Sequence, residues 1–227
     1  MNESVRLNKH LAHTLGISRR EADTRIEQGR VLLNGKIASL GNTVHLGKDS
    51  ISIDNMVVLS ASKKYTYVLF NKPVGYICSR KQQGDTPTIY SILPKQYQNL
   101  KVAGRLDKDS CGLLLLTDDG DRIFNLTHPK FAKEKTYLVG LNKPLTIDDK
   151  EQIVSGVMLE DGKSTFSVSR AKHSSKPNRY IVIMHEGRNR QIRRTFGGLR
   201  YMVTHLERIS FGPHSLDDLK GKQFLQI

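Results

Sequence analysis

The chain has 227 residues, of which 36 are lysine or arginine and 22 are aspartate or glutamate, so its formal net charge is +14. Chains of this length bury about 70% of their unfolded surface, so no disulfides are needed to hold a core. The two cysteines, Cys78 and Cys111, exclude a disulfide framework and a cysteine-rich zinc site. The longest apolar runs have only strand length and no secretory signal opens the chain, which argues against a membrane protein. We therefore expect a cytoplasmic protein that does not associate with membranes.

The positive charge is unevenly distributed along the chain. Residues 1–60 contain eight basic and six acidic side chains, so +12 of the net charge lies beyond Ser60. Such an excess attracts polyanions, of which nucleic acid is the commonest, although a protein can also be basic without binding one. We predict a small module at residues 1–60, a linker at 61–66 and a larger basic body at 67–227.

Two helices and a small sheet are predicted for the first module. Apolar residues recur at helical spacing from Leu7 to Leu15, and Gly16 ends that helix. Ser18 and Glu21 form a capping box that opens a second helix. The predicted strands are Val31–Leu33 and Lys36–Ile37, joined by a type I′ turn at Asn34-Gly35, and Ile51–Ile53.

Strands outnumber helices in the body. The predicted strands are Tyr67–Phe70, Leu113–Leu116, Tyr137–Leu141, Tyr180–Met184 and a hairpin of Val157–Leu159 with Thr165–Val168. Asn71-Lys72-Pro73 is expected to break the first strand. Helices are predicted after Asp119, after Thr146 and at Arg190–Phe196. The spacing predicts an α+β fold with a mixed, mainly antiparallel sheet.

The first candidate site is Gly104-Arg105-Leu106-Asp107, which precedes the apolar strand at Leu113. Asp107 is therefore predicted to lie in a loop at the edge of the sheet. A carboxylate two residues from Arg105, in so basic a body, should stay ionised and could act as a nucleophile. A turn aspartate that bonds its own backbone is the alternative, and local chemistry alone favours it.

The second candidate site is a run of arginines at Arg188, Arg190, Arg193 and Arg194, which opens a short predicted helix. Guanidinium groups bind phosphates through paired hydrogen bonds. No lysine occurs between Glu186 and Arg208, which favours phosphate recognition over general solubility. The alternative is a solvated helix face with its apolar residues turned inward.

Two weaker signals concern aromatic and basic residues elsewhere. Tyr137, at the start of a predicted strand, could stack on a base, hold a proton, or simply pack half-buried. In the first module, Lys9, Arg19, Arg20 and Arg25 lie around the second helix. Paired arginines at a helix start can bind RNA phosphates, and a plain surface face is the alternative.

Taken together, these motifs resemble two known families. The first module resembles an S4-type RNA-binding domain through Arg6-Leu7-Asn8-Lys9-His10-Leu11, Ser18-Arg19-Arg20-Glu21-Ala22, Gly29, Val31 and Asn34-Gly35. The body resembles the bacterial ribosomal RNA pseudouridine synthases of the RsuA/RluB/RluF branch. Its matching motifs are Asn71-Lys72-Pro73-Val74-Gly75, Gly104-Arg105-Leu106-Asp107 with Gly112-Leu113-Leu114, Glu134-Lys135-Thr136-Tyr137, Gly187 to Arg194, and Leu206-Glu207-Arg208-Ile209. Their order along nearly the whole chain makes the resemblance specific.

The resemblance implies a role for each matching residue. Asp107 corresponds to the catalytic aspartate, Tyr137 to a tyrosine that stacks on the target base, and Arg193 to an arginine that pairs with the aspartate. The implied substrate contacts are Arg105, which would touch the RNA backbone or the flipped nucleotide, Ile192 in the base pocket, and Arg188 and Arg190. Lys9, Arg19, Arg20 and Arg25 are the implied RNA contacts of the S4-type module. Asp109 is expected to be dispensable.

One stretch departs from the family pattern. Where the family usually ends the arginine-rich helix with a glycine before an aromatic residue, this chain has Arg200 before Tyr201. Gly197 and Gly198 fall inside the predicted helix, and each costs about 1 kcal/mol relative to alanine. A shorter helix is therefore expected.

The resemblance implies an enzyme that converts a uridine of ribosomal RNA to pseudouridine. Gly187-Arg188-Asn189-Arg190 and Cys111-Gly112-Leu113-Leu114 favour a large-subunit (23S) target, and a small-subunit (16S) target stays open. Because the reaction exchanges a C–N bond for a C–C bond, no cofactor and no metal are expected. The expected partner is ribosomal RNA or a pre-ribosomal particle, with the protein acting as a monomer.

Two other classes of protein share part of this pattern. A non-catalytic S4-type factor that binds ribosomal RNA would need the first module, but it gives no reason for the ordered motifs of the body. An S4-linked RNA methyltransferase should carry a glycine-rich cofactor loop after a strand, and no predicted strand is followed by one.

Overall fold

The computed structural model describes residues 4–58, 64–172 and 176–227. The chain divides into two compact units, residues 1–64 and 65–227. The predicted linker at 61–66 spans this division, and residues 61–63 of it lie outside the described residues. Across the described ranges, no helix has both the length and the apolar character needed to cross a bilayer.

The first unit contains the two predicted helices, α1 (Leu7–Leu15) and α2 (Arg19–Glu27). Gly16 ends α1 in the left-handed conformation, and the Ser18 hydroxyl accepts the backbone N–H of Glu21 at 3.1 Å, which confirms both predicted helix ends. The strands of this unit are β1 (Ser4–Arg6), β2 (Val31–Leu33), β3 (Lys36–Ile37), β4 (Thr43–His45), β5 (Ile51–Ile53) and β6 (Met56–Val57). They form an antiparallel sheet in the order β3-β2-β5-β6 and a separate antiparallel β1–β4 pair. The apolar faces of both helices share one core with β2 and β5.

The second unit is built around a large sheet. Its strands are β7 (Tyr67–Lys72), β8 (Lys101–Ala103), β9 (Cys111–Thr117), β10 (Lys135–Leu141), β11 (Val157–Leu159), β12 (Gly162–Ser164), β13 (Ser167–Arg170), β14 (Arg179–Met184), β15 (Val203–Phe211), β16 (His214–Ser215) and β17 (Phe224–Gln226). Its α-helices are α3 (Gly120–Thr127), α4 (Ile147–Ser155) and α5 (Gln191–Gly198). Short 3-10 helices lie at Ile89–Ser91, Lys95–Tyr97, Pro129–Phe131 and Asp217–Leu219.

The sheet has nine strands in the order β13-β14-β10-β15-β9-β7-β17, with β8 paired to β9 and β16 to β15. Among the ladders between these described strands, β9–β15 is parallel and the others are antiparallel, which confirms the predicted mixed, mainly antiparallel α+β fold. Leu114 and Leu116 pack in one core cluster, whereas Leu113 and Leu115 pack in another on the opposite face. Because both faces of β9 are covered, its sequence is a continuous apolar run rather than an alternating one.

Two strand predictions are corrected by the structure. β7 does not end at Phe70 but continues through Asn71 and Lys72, because these two residues pair with Leu113 and Gly112 of β9. The hairpin partner of β11 is Gly162–Ser164, because Leu159 pairs with Gly162 across a two-residue turn. The predicted partner at Thr165–Val168 overlaps β13, which pairs with β14 at the edge of the large sheet.

The expected shortening of the arginine-rich helix is also wrong. Helix α5 runs to Gly198, and its last turn is closed by hydrogen bonds from Tyr201 N to Phe196 O and from Arg200 N to Gly197 O, both 2.9 Å long. These two bonds and the edge-on contact between the Phe196 and Tyr201 rings form a Schellman motif. The motif places Arg200 in the left-handed region at φ +62°, the position where glycine is usual.

Arg200→Gly should therefore stabilise the protein by about 1 kcal/mol, because glycine adopts this conformation without the cost that a side chain imposes. Arg200 is exposed, so its side chain has little packing to lose. Urea unfolding of the two proteins measures the gain. Arg200→Ala retains the Cβ atom and is the matched control, for which we expect no comparable gain.

Candidate active site

An open cleft of about 280 Å³ lies in the second unit, between the loop before β9, the start of β10 and the segment before α5. Six of the seven residues predicted for a site in the body line it: Arg105, Asp107, Tyr137, Arg188, Arg190 and Ile192. The seventh, Arg193, contacts the backbone of the Asp107 loop. The topology thus brings together motifs that are far apart in sequence.

The loop that carries Asp107 is held from below by Lys72. The Lys72 side chain is fully buried, and its ammonium donates to the backbone oxygens of Pro73 at 3.0 Å, Asp107 at 3.1 Å and Ser110 at 2.7 Å. Burial lowers the pKa of Lys72. Three carbonyl partners are what make a buried ammonium tolerable, and they fix the backbone of the loop. Sequence reasoning interpreted Lys72 as part of a strand break and missed this role.

The end of the same loop is held by a close approach between strands. Gly112 pairs with Arg208 where β9 meets β15, and its φ is +103°. A Cβ atom at position 112 would overlap the backbone oxygen of Arg208. Arg208 is also the cross-strand neighbour of Tyr137 on β10. Glycine at position 112 therefore allows β9 and β15 to approach closely, and this close approach fixes the distance between the Asp107 loop and the wall that carries Tyr137.

The arginines do not pair with the carboxylates as the resemblance implied. Arg193 was expected to pair with Asp107, but its Nε lies 3.2 Å from Asp109 Oδ2 and its terminal nitrogens donate to the backbone oxygens of Asp109 and Val203. That Nε lacks hydrogen-bond geometry, so the attraction is electrostatic. Among the described residues, the cation within 4.0 Å of Asp107 is Arg190. The expected Arg193–Asp107 pair is therefore wrong, because the backbone partners direct Arg193 toward Asp109.

Asp109 is the anchor of both arginines. Arg190 donates to its two carboxylate oxygens, each at 3.0 Å, in a bidentate pair. Partial burial raises the pKa of Asp109, but the hydrogen bond from Arg190 and the charges of Arg193 and Arg190 outweigh burial, so the pKa lies below its usual value. The expectation that Asp109 is dispensable does not fit this geometry.

Arg188 has a structural partner in the β11–β12 hairpin. Its guanidinium donates to the side chain and the backbone oxygen of Asp161, both at 2.9 Å, and to the backbone oxygens of Gly162 and Lys163. Arg194 pairs with the other oxygen of Asp161 at 2.7 Å. Arg188 therefore shapes one wall of the cleft by holding the hairpin, and its donors are not directed at a substrate phosphate as the sequence suggested.

The remaining cleft residues divide by exposure. Arg105 and Arg190 are exposed at the mouth, and the Asp107 side chain is 33% exposed. Tyr137 and Ile192 are buried in the wall. Among the predicted residues, the charged groups suited to a phosphate backbone thus lie outside, and Tyr137 and Ile192, which are suited to a base, lie inside.

The basic residues predicted in the first unit lie on its two helices. Arg19 and Arg20 are exposed on α2, and Arg19 approaches Asn8 at 3.4 Å. Lys9 is half-buried on α1. Arg25 forms a 2.7 Å ion pair with Glu21 one turn earlier, so its charge already has a partner.

Lys135 and Arg208 also line the cleft, and neither was selected from the sequence as a functional residue. Both are buried. The one signal for them was their position inside two of the matching motifs. Within the described part of the chain, no three His, Cys, Asp or Glu side chains come together as metal ligands would.

Two family models match this chain. The model described as RNA pseudouridylate synthase matches residues 66–197, more than half of the chain, and the S4 domain model matches residues 5–50. The chain belongs to the RNA pseudouridylate synthase family. The predicted family, fold class and enzyme class are thereby confirmed.

The relatives match most of the length of this chain. It is 36% identical over 215 residues to the ribosomal large subunit pseudouridine synthase B of Pseudomonas aeruginosa, which corresponds to 92% of this chain and 55% of that protein. The large subunit synthase B of Salmonella typhi is 35% identical over 92% of this chain and 74% of that protein. The ribosomal small subunit pseudouridine synthase A of Yersinia pestis is 35% identical over 94% of this chain and 90% of that protein. The chain thus spans little more than half the length of the Pseudomonas relative.

A solved structure shows the same architecture. The crystal structure of a pseudouridylate synthase, 31% identical in sequence, superposes with a TM-score of 0.67 over 98% of this chain and 96% of that one. Both units of this chain therefore have counterparts in one experimentally determined chain.

Proposed function

We propose that the protein isomerises a specific uridine of ribosomal RNA to pseudouridine, with the Asp107 carboxylate as nucleophile. The observation that carries this proposal is the position of Asp107, partly exposed in a cleft whose inner wall is Tyr137 and Ile192 and whose mouth carries Arg105 and Arg190. The names of the relatives supply the class of substrate.

The geometry supports a flipped-nucleotide reaction. A uridine in a stacked helix cannot reach Asp107, so the target base must leave its stack and enter the cleft. The buried ring of Tyr137 offers it an aromatic wall. Arg105 at the mouth can touch the backbone of the flipped nucleotide. Arg190, 4.0 Å from Asp107, places a positive charge beside the carboxylate that is proposed to attack.

The proposed target lies in the large ribosomal subunit. Two of the relatives named above act, by their names, on the large subunit, and the Yersinia relative on the small subunit at nearly the same identity. A 16S target is therefore the second candidate. We further propose that the protein works in the cytoplasm as a monomer, on ribosomal RNA or a pre-ribosomal particle.

Release of tritium from 5-tritiated uridine tests the activity, because C5 loses its hydrogen when it bonds to the ribose. The parent protein should release tritium from a 23S fragment or a precursor particle. Sequencing of carbodiimide-treated ribosomal RNA from a deletion strain should then show one missing pseudouridine. Release from 16S RNA alone would move the target to the small subunit. Release from neither RNA would contradict the proposal and favour a non-catalytic S4-type factor.

The S4 unit gives a separate prediction about RNA affinity. Replacing Lys9, Arg19 and Arg20 together by glutamine should weaken RNA binding and reduce the slope of log K against log salt by roughly 0.7 to 0.9 per lost phosphate contact. Turnover on saturating RNA should stay near that of the parent. Filter binding over a salt series measures the slope.

The charge-matched control replaces three other basic residues of the first unit by glutamine: Arg30, Lys36 and Lys48. If the two triple variants have equal slopes, the predicted residues are ordinary surface charges.

A further inference from the structure

Two buried cations flank Tyr137 in the cleft. Lys135 is 9% exposed and Arg208 is 1% exposed, and both line the cleft that holds Asp107. Lys135 lies two residues before Tyr137 on β10, so the two side chains share one face of the sheet. Arg208 pairs directly with Tyr137 across the β10–β15 ladder. The aromatic wall of the cleft is thus bordered by positive charge on two sides.

Neither of these two residues has a carboxylate within ion-pair distance in the described ranges, although the charge of Glu186 acts on Lys135. Lys135 donates to the backbone oxygens of Lys133 at 2.9 Å and His185 at 3.4 Å, while Arg208 donates from Nε to the oxygen of Leu113 at 2.8 Å. The Arg208 guanidinium also lies over the Phe211 ring at 4.5 Å, and its Nη2 is buried without a hydrogen-bond partner. No ion pair involving either residue is found among the described parts of the chain. Carbonyl and ring contacts leave the full positive charge in place, which burial penalises.

Burial and the neighbouring charge of Arg208 lower the pKa of Lys135, whereas the charge of Glu186 raises it. An anion placed between the two cations would relieve both the burial cost and their mutual repulsion. A negative charge on the inner wall of the cleft, beside Tyr137, would therefore be favoured by both cations.

The position identifies which negative charge of the substrate belongs there. RNA phosphates suit the mouth, where the exposed Arg105 and Arg190 lie, whereas the inner wall faces the base. When the C1′–N1 bond of uridine breaks, its electron pair stays on the base, which becomes a uracilate whose charge spreads onto O2 and O4. We infer that Lys135 and Arg208 stabilise this uracilate, and the inference depends on the proposed function.

The step balances without a further reactant. An oxygen of the Asp107 carboxylate bonds to C1′ as the C1′–N1 bond breaks, and the electron pair of that bond leaves with the base. After the base turns, C5 bonds to C1′ and the Asp107 oxygen is released with its electron pair. C5 then loses its proton and N1 gains one, so the product is an isomer of the substrate. The two cations act while the base is detached and anionic.

Single-turnover kinetics on saturating RNA test the inference. Lys135→Met should slow pseudouridine formation about 10²-fold, the typical cost of removing one preorganised group that stabilises developing charge. Its RNA dissociation constant should stay within a few-fold of the parent's. Lys101→Met removes the same charge from an exposed lysine on β8 and is the matched control. Thermal unfolding should show Lys135→Met at least as stable as the parent, because the substitution removes a buried charge.

A substituted substrate separates electrostatic stabilisation from mere packing. 5-Fluorouracil is a more acidic leaving base than uracil, so its departure needs less help from nearby cations. Consumption of 5-fluorouridine at the target site should therefore be slowed less by Lys135→Met than consumption of uridine. Equal slowing of both substrates would overturn the inference and make these residues structural. Weaker RNA binding with an unchanged saturated rate would overturn it in favour of a phosphate contact. If the parent releases no tritium at all, the proposed function fails instead.

Discussion

Asp107→Asn should abolish pseudouridine formation while RNA binding stays within a few-fold of the parent. Asparagine keeps the size and most of the hydrogen-bonding shape of aspartate but lacks the negative charge and nearly all of its nucleophilicity. RNA affinity derives mainly from the cationic surface, so the loss of one negative charge near Arg190 should weaken it little or even strengthen it. The tritium-release assay measures the first effect, and filter binding at one fixed salt concentration measures the second.

Asp148→Asn is the control for this substitution, because Asp148 is exposed on the first turn of α4, outside the cleft. It should release tritium at the parental rate. Parental release from Asp107→Asn would place the nucleophile elsewhere in the protein. The Lys72 contacts concern the backbone oxygen of residue 107, so the substitution leaves the support of the loop in place.

Asp109→Asn should slow single-turnover pseudouridine formation about 10²-fold. Its carboxylate holds Arg190 through two hydrogen bonds and lies 3.2 Å from Arg193. Without that charge, both guanidinium groups lose their ion-pair partner, and Asp107 is the nearest carboxylate for Arg190 to approach. A displacement of about 1 Å in a reacting group can cost this much in rate. Because the Asp109 side chain is 44% exposed, the accompanying loss of stability should be modest, about 1–2 kcal/mol.

The double variant Asp109→Asn with Arg190→Gln separates the two consequences of losing Asp109. If Arg190 blocks Asp107 once it is released, removing Arg190 as well should restore part of the rate, and the effects of the two substitutions will not add. Rapid-quench kinetics and urea unfolding of the single and double variants supply the comparison. A parental rate for Asp109→Asn would show that the arginine network does not position the nucleophile.

Local patterns in the sequence were enough to predict most of the elements. The helical spacing of apolar residues before Gly16 predicted α1, and the Ser18–Glu21 capping box predicted α2. Both signals depend on residues only a few positions apart in sequence. The apolar run at Leu113–Leu116 gave β9 for the same reason. The motifs that carry the predicted site lie together in the cleft, and the roles assigned to their residues stay predictions.

What sequence could not supply was the pairing between distant residues. Strand β15 was not predicted from its pattern, because Glu207 and Arg208 interrupt its apolar residues and the burial of Arg208 depends on Leu113 and Phe211. Arg193 likewise lies beside Asp109 rather than Asp107 because its guanidinium also donates to the backbone oxygen of Val203, ten residues later in the chain. Such pairings depend on tertiary structure, which cannot be predicted from the local spacing of residues.

The parallel contact between β9 and β15 also bears on the order in which the protein forms. This contact brings together Arg208 and Leu113, which are 95 residues apart in sequence. Contacts between residues so far apart are among the slowest to form during folding. The first unit draws its own sheets and core from residues 4–58 and can fold as soon as they leave the ribosome. The cleft must wait until β15 has been synthesised. A nascent chain therefore possesses its S4 module well before it possesses a working catalytic centre.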